Sequence, residues 1–135
     1  MIPDWRRIST RIWTLPNTLL GLGIGVFGLC LGGQAQRVQG CLEFHGGAIA
    51  RLLNSIPPGQ RFSALTLGHV ILGLDADVLV RVRRHEHVHV RQYERWGPFF
   101  LPAYAACSLW IWISGGAPYR GNPFEVQAYA VDEEV

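Results

Sequence analysis

Apolar positions along the chain gather into two long runs, with a patterned stretch between them. The first run, Leu19 to Gly33, follows arginines at 6, 7 and 11. It falls short of the ~20 residues that cross a bilayer, although Ile12 to Leu15 extend it. Its six glycines lower helix propensity in water but are common in membrane helices. Three readings fit: a membrane helix with its arginine end in the cytoplasm, a signal peptide cleaved near Ala35, or a buried helix of a small soluble domain. The second run, Phe99 to Gly116, carries Trp110 and Trp112 near its end and is also borderline in length. The chain therefore divides into a hydrophobic segment (1–36), for which membrane association is one of the three readings, and a domain (37–135).

Between the runs the pattern changes. Residues 38–47 (VQGCLEFHGG) read as a short strand ended by a Gly-Gly turn, with His45 at the strand end. AIARLL (48–53) reads as a second strand, and FSALTLGHVILGL (62–74), rich in β-branched and apolar residues, as a third. Gly32 to Gln36 and Pro57 to Gln60 read as connectors. Asp75 to Trp96 then runs 22 residues without glycine or proline.

That last segment holds RRHEHVHVRQYERWGP (83–98). As a strand it would put Val82, Val88 and Val90 on one face and His85, His87 and His89 on the other, a three-histidine edge. As a helix it has Asp75 or Asp77 for a cap and Gly97-Pro98 for a stop. Leu79, Val82, Val90, Tyr93 and Trp96 then form an apolar stripe that Glu86 and His89 interrupt. The length exceeds an ordinary strand, and helix is the reading adopted. A carboxylate and an imidazole at core positions are costly unless they have partners.

On a helix, His85 and His89 stack one turn apart and converge on one ion, while Glu86 is rotated about 100° away. This is the H-E-x-x-H arrangement of two ligands and a general base. Imidazoles with a carboxylate suit zinc, which would lower the pKa of water towards ~7. Glu86 would take a proton from that water and pass it to a leaving amine. The bland alternative is an exposed, histidine-rich helix face. His87 points away from the pair and is read as a surface or supporting histidine.

A third ligand is sought downstream, in RGNPFEVQAYAVDEEV. Its N-P-F-E-x-x-A, together with the H-E-x-x-H, resembles the small one-domain zinc metallopeptidases called minigluzincins, over residues 62 to 131. The resemblance implies a zincin-like α+β fold: a small sheet, an active-site helix, then a helix bearing a glutamate ligand. Glu125 would be that ligand, 36 residues after His89, with Ala128 one turn on. Larger gluzincins carry an aspartate four residues after the glutamate; Tyr129 stands there. Asn122-Pro123-Phe124-Glu125 is equally a capping box, which needs no metal. Glu94, Glu133 and Glu134 read as solvated charges. In peptidases of this type a strand beside the active helix binds the substrate backbone; Leu65 to Ile71 is the candidate. His69 within it would stabilise the oxyanion, or is a half-buried strand histidine. Tyr119, Arg120 and Tyr129 are weaker oxyanion candidates.

Composition narrows the classes. Charged residues make up 16% and hydrophobic residues 49%. Such a low charged share points to a membrane or a sticky surface. A net charge of +2 and the absence of any recognisable motif argue against nucleic acid. All twelve basic residues are arginine, and eight lie between 34 and 98, so exporting that loop would violate positive-inside preference. The catalytic region is expected in the cytoplasm or tethered to the membrane. Cys30, Cys41 and Cys107 form no C-x-x-C; Cys30 and Cys107 read as small buried hydrophobes. The expected function is zinc-dependent hydrolysis of a peptide or protein substrate. The alternative is a non-enzymatic, membrane-associated metal-binding protein.

Overall fold

In a computed structural model that describes residues 3–56 and 63–132, the chain forms an α+β fold. Its helices are α1 (Asp4–Cys30), α2 (Gly47–Asn54), α3 (Ala76–Trp96), α4 (Phe100–Ile113) and α5 (Pro123–Asp132). Its strands are β1 (Gln34–Val38), β2 (Cys41–His45), β3 (Ala64–Leu67) and β4 (Val70–Gly73). They form one sheet in the order β1-β2-β4-β3, with β2 and β4 parallel and the outer pairs antiparallel.

Side-chain alternation builds the layers. Val70 and Leu72 join Phe44, Ile49, Leu53 and Leu67 on the α1 and α2 side, and Ile71 joins Cys41, Leu79 and Val90 on the α3 side. With both faces covered, β4 is apolar throughout, as expected of a doubly buried strand. Glu43 is the exception on β2. It is fully buried, accepts two hydrogen bonds from Arg83 at 3.0 and 2.9 Å, and accepts a third from Gln36 at 2.9 Å. This charge-assisted fork ties α3 to the sheet.

Several sequence expectations change, and Gln34 to Gln36, read as part of a connector, open β1. Residues 38–47 are the end of β1, a turn and β2. The turn residues Gln39 and Gly40 both have positive φ (52° and 83°), as a two-residue type I′ hairpin requires. The third expected strand is a second hairpin, turning at Gly68 (φ 63°) and His69. AIARLL is helical: Ile49 and Leu53, four apart, both enter the core. A short apolar run does not by itself separate these states. The Pro57 to Gln60 connector lies outside the described residues, as do Glu133 and Glu134. Cys30 is exposed rather than buried, whereas Cys107 is half-buried.

The 75–96 segment is a helix, which removes the three-histidine strand edge. Asp75 caps α3, its Oδ1 accepting from Val78 N at 2.8 Å, and Gly97 ends it. The stripe is Leu79, Glu86, His89, Val90 and Tyr93, with Val78 and Val88 also buried; Trp96 stays exposed. By length and composition, Asp4–Cys30 and the stretch Ala76–Ile113 are each apolar enough to cross a membrane. α1 nevertheless packs on β2, β4 and α2. Cleavage near Ala35 would cut β1 and remove the helix that covers the sheet.

Candidate metal centre

α3 and α5 lie side by side, and three buried donors meet between them. Glu125 Oε2 lies 3.1 Å from His85 Nε2 and 3.2 Å from His89 Nε2. One ligand atom from each residue falls within 4.8 Å of the others, a group that can hold a metal ion. The two imidazole rings, 5.1 Å apart, are one helical turn from each other.

The partners of these side chains decide which nitrogen faces the site. His85 Nδ1 donates to Asp132 Oδ2 at 3.1 Å, and His89 Nδ1 donates to Gln92 Oε1 at 2.8 Å. A neutral ring that keeps its proton on Nδ1 presents its lone pair at Nε2. Both Nε2 atoms point at Glu125, so the donor set fits a divalent ion. Gln92 is itself held by bonds to Phe124 O at 3.0 Å and Gln127 Oε1 at 2.7 Å, both on α5.

Glu125 does not close a capping box. Asn122 caps α5, accepting from Phe124 N at 3.0 Å, but the Asn122 N–H goes to Tyr119 O at 3.2 Å. The Glu125 carboxylate turns to the histidines instead, and its Oε1 accepts from the Tyr104 hydroxyl at 2.8 Å. Ala128, one turn on, is fully buried where α5 meets α3. Tyr129 stands edge-on to His85 at 4.5 Å, with Arg120 over its outer face. The carboxylate behind His85 is thus Asp132, seven residues after Glu125 and again on its face of the helix.

Electrostatics follows from burial and these contacts. Burial alone would raise the Glu125 carboxyl, but hydrogen bonds from His85 and His89 bring it down to about 2. Burial works against charged imidazoles, yet the bonds to Glu125 raise both histidines above 6.5. Without metal, the Glu125 contribution to stability is present above 4.5 and lost as pH falls towards 2. The histidine contribution is present below 6.5 and lost as pH rises through the raised values. Metal and protons compete for the same nitrogens, so metal binding tightens with pH. Glu86 is the counter-case: burial pushes its carboxyl up. Its Oε2 accepts from Thr66 Oγ1 at 2.7 Å.

Glu86, His89 and Glu125 line one small cavity of about 90 Å³, with Tyr104, Tyr119 and the β3 residues Ala64 to Thr66. His69 does not reach it. In the β3–β4 turn it contacts Thr14 Oγ1 through Nδ1 (3.0 Å) and Glu94 Oε1 through Nε2 (2.9 Å), and its backbone N–H donates to Thr18 Oγ1 at 3.1 Å. It ties α1 to α3 and lines a different cavity; Glu94 is accordingly a partner, not merely a solvated charge. Of the expected substrate strand, only the β3 part borders the site. Sequence reading missed Thr66, Gln92, Tyr104 and Asp132. Gln92 alone left a local signal, three residues after His89 on the same helix face.

Asp132→Ala is expected to weaken metal affinity ~10–100-fold, the usual effect of losing a group that orients a ligand. Asp132 is partly exposed, so the fold should survive. Competition against a chromophoric chelator measures the change, and an unaltered affinity would make the His85 contact idle. In comparisons with known proteins, no protein-family model, no curated protein and no solved structure matches this chain.

Proposed function

We propose that the chain is a zinc-dependent metallopeptidase of zincin-like, minigluzincin type. The observation that carries this reading is the convergence of Glu125 Oε2 on both Nε2 atoms, with Glu86 in the same cavity. His85, His89 and Glu125 would hold the zinc, a three-residue set that leaves a position open to substrate. When bound, zinc supplies a Lewis acid that polarises a carbonyl and brings the pKa of water towards ~7.

The chain's own groups do the rest. Glu86, with its raised affinity for protons, accepts one from the attacking water and returns it to the leaving amine. Thr66 anchors one of its oxygens, which leaves the carboxylate little rotational freedom. Tyr119 borders the cavity, and burial holds its phenol protonated. It replaces His69 as donor to the developing oxyanion. Tyr104 orients Glu125.

The substrate is a peptide segment in extended form. β3 is an edge strand and lines the cavity, so a peptide added along it would pass the site. One β3 carbonyl, Thr66 O, already accepts from the Tyr93 hydroxyl at 2.9 Å. A peptide laid along β3 must be extended, which favours flexible segments over folded ones.

Metal removal tests the reading. Purified protein should carry about one zinc per chain. A chelator should remove the zinc together with hydrolysis of an unstructured peptide, and added zinc should restore both, with tighter uptake at pH 8 than at pH 6. Protein that is zinc-free after growth in zinc-replete medium would end the proposal. Zinc without hydrolysis would leave the metal-binding alternative.

A further inference from the structure

α1 is amphipathic in reverse. The residues it buries fully are Thr14, Asn17, Gly21, Gly25 and Gly28, small or polar and spaced three or four apart, with Leu22 and Ile24 partly buried beside them. The glycines lie against Leu67 and Val70, Phe44 and Ile49, where a methyl group would collide. The residues it turns outward are large and apolar: Ile8, Ile12, Leu19, Val26 and Phe27 are each at least half exposed. A helix that contributes to a core in water shows the opposite arrangement. No charged residue occurs from Ile12 to Gln36.

The exposed face does not stop at α1. The Trp13 and Phe99 rings meet at 6.0 Å, and α4, which starts at Phe100, leaves Leu109, Trp110, Trp112 and Ile113 uncovered. Exposed apolar side chains on two helices call for a partner. Tryptophans at both ends suit the boundary between lipid and water.

The charge at the N-terminal end says which partner. Arg6, Arg7 and Arg11 line a cavity of about 360 Å³ together with Arg91 of α3. Among the described residues only one carboxylate, Glu94, borders it, and that is engaged by His69. His87, which the metal centre does not use, also lines this cavity, and its buried Nε2 lacks a hydrogen-bond partner among the described residues. Four guanidinium groups around one opening suit phosphate.

Orientation follows from packing. α1 contacts β2 and β4 along its glycine face. An upright α1 would carry the sheet into the hydrocarbon, with β1 and β3 as open edges. Unpaired backbone groups are not tolerated there. A helix lying flat keeps the sheet and the metal centre on the aqueous side.

We propose that α1 lies in the plane of an anionic phospholipid surface, its outward face among the acyl chains and Arg6, Arg7, Arg11 and Arg91 on lipid phosphates. The attachment is monotopic and places the metal centre beside one leaflet. It does not rest on the hydrolytic reading, since its test reads binding and sidedness, with no substrate.

The full chain is floated with vesicles of phosphatidylcholine, with and without phosphatidylglycerol. Binding is expected to need the anionic lipid and to fall on the order of 10²-fold when Arg6, Arg7 and Arg11 are changed together to Gln. Leu19→Glu and Phe27→Glu, on the outward face, should each abolish binding while zinc content and circular dichroism stay unchanged. Asp4→Cys at the start of α1 and Gln34→Cys just past its end, both exposed, should react with a membrane-impermeant maleimide from the outside, above the background of the native cysteines. Equal binding to neutral vesicles would overturn the proposal, as would labelling of the two positions from opposite sides. A soluble dimer that Leu19→Glu splits, with no vesicle binding, would assign the face to a second copy and overturn it too.

Discussion

Glu86→Gln is expected to keep the metal, keep the fold and lower peptide hydrolysis by about 10²–10⁴-fold. The amide has the shape of the carboxylate and still bonds Thr66, which now holds Oε2 at 2.7 Å. It cannot accept a proton. Stability should not fall, because burial disfavours the charged form that Gln replaces. Single-turnover rates with thermal melts and metal analysis on the same preparation separate these effects. Hydrolysis equal to the parent's would show that another group moves the proton, or that the activity comes from a contaminant.

Glu125→Ala is expected to do the reverse, with metal lost first and hydrolysis lost with it. It removes one of three donors and leaves two buried imidazoles facing an uncompensated space. The loss of zinc affinity should exceed the ~10–100-fold of an outer partner such as Asp132. A capping glutamate would behave otherwise, costing about 1 kcal/mol of stability and leaving zinc affinity intact. A chelator competition run beside a denaturant titration distinguishes the two. Retained affinity would remove Glu125 from the centre.

The legible parts of the site were those with a local signature. His85, Glu86 and His89 sit on one helix, and helical period alone brings the two rings together. Asp75 and Gly97 marked the ends of α3 through cap chemistry that acts within one turn. The N-P-F-E stretch marked the start of α5. Where one segment serves two structures with the same residues, local reading failed. The hairpin at Gln39-Gly40 lacks the asparagine or aspartate that usually announces a type I′ turn. AIARLL is too short for its period to be counted.

His69 shows a different kind of limit. Its place in sequence, on a strand beside the active helix, suited an oxyanion donor. Thr14 and Glu94, distant in sequence, hold it in another cavity. Its role depends on how α1 crosses the β3–β4 turn, which no local pattern encodes.

The sequence by itself determined the helix that carries two imidazoles and a carboxylate, the cap and stop that bound it, and an apolar N-terminal segment edged by arginines. These rest on interactions between residues within a few positions of one another. Tertiary structure alone decided that the Glu125 carboxylate turns from its own helix end to the two rings. It also decided that Asp132, Gln92 and Tyr104 orient the three donors, and that α1 shows its glycines to the sheet and its large side chains outward. Those outcomes depend on which helix faces pack together on the two sides of the sheet, and that packing is settled by the whole chain.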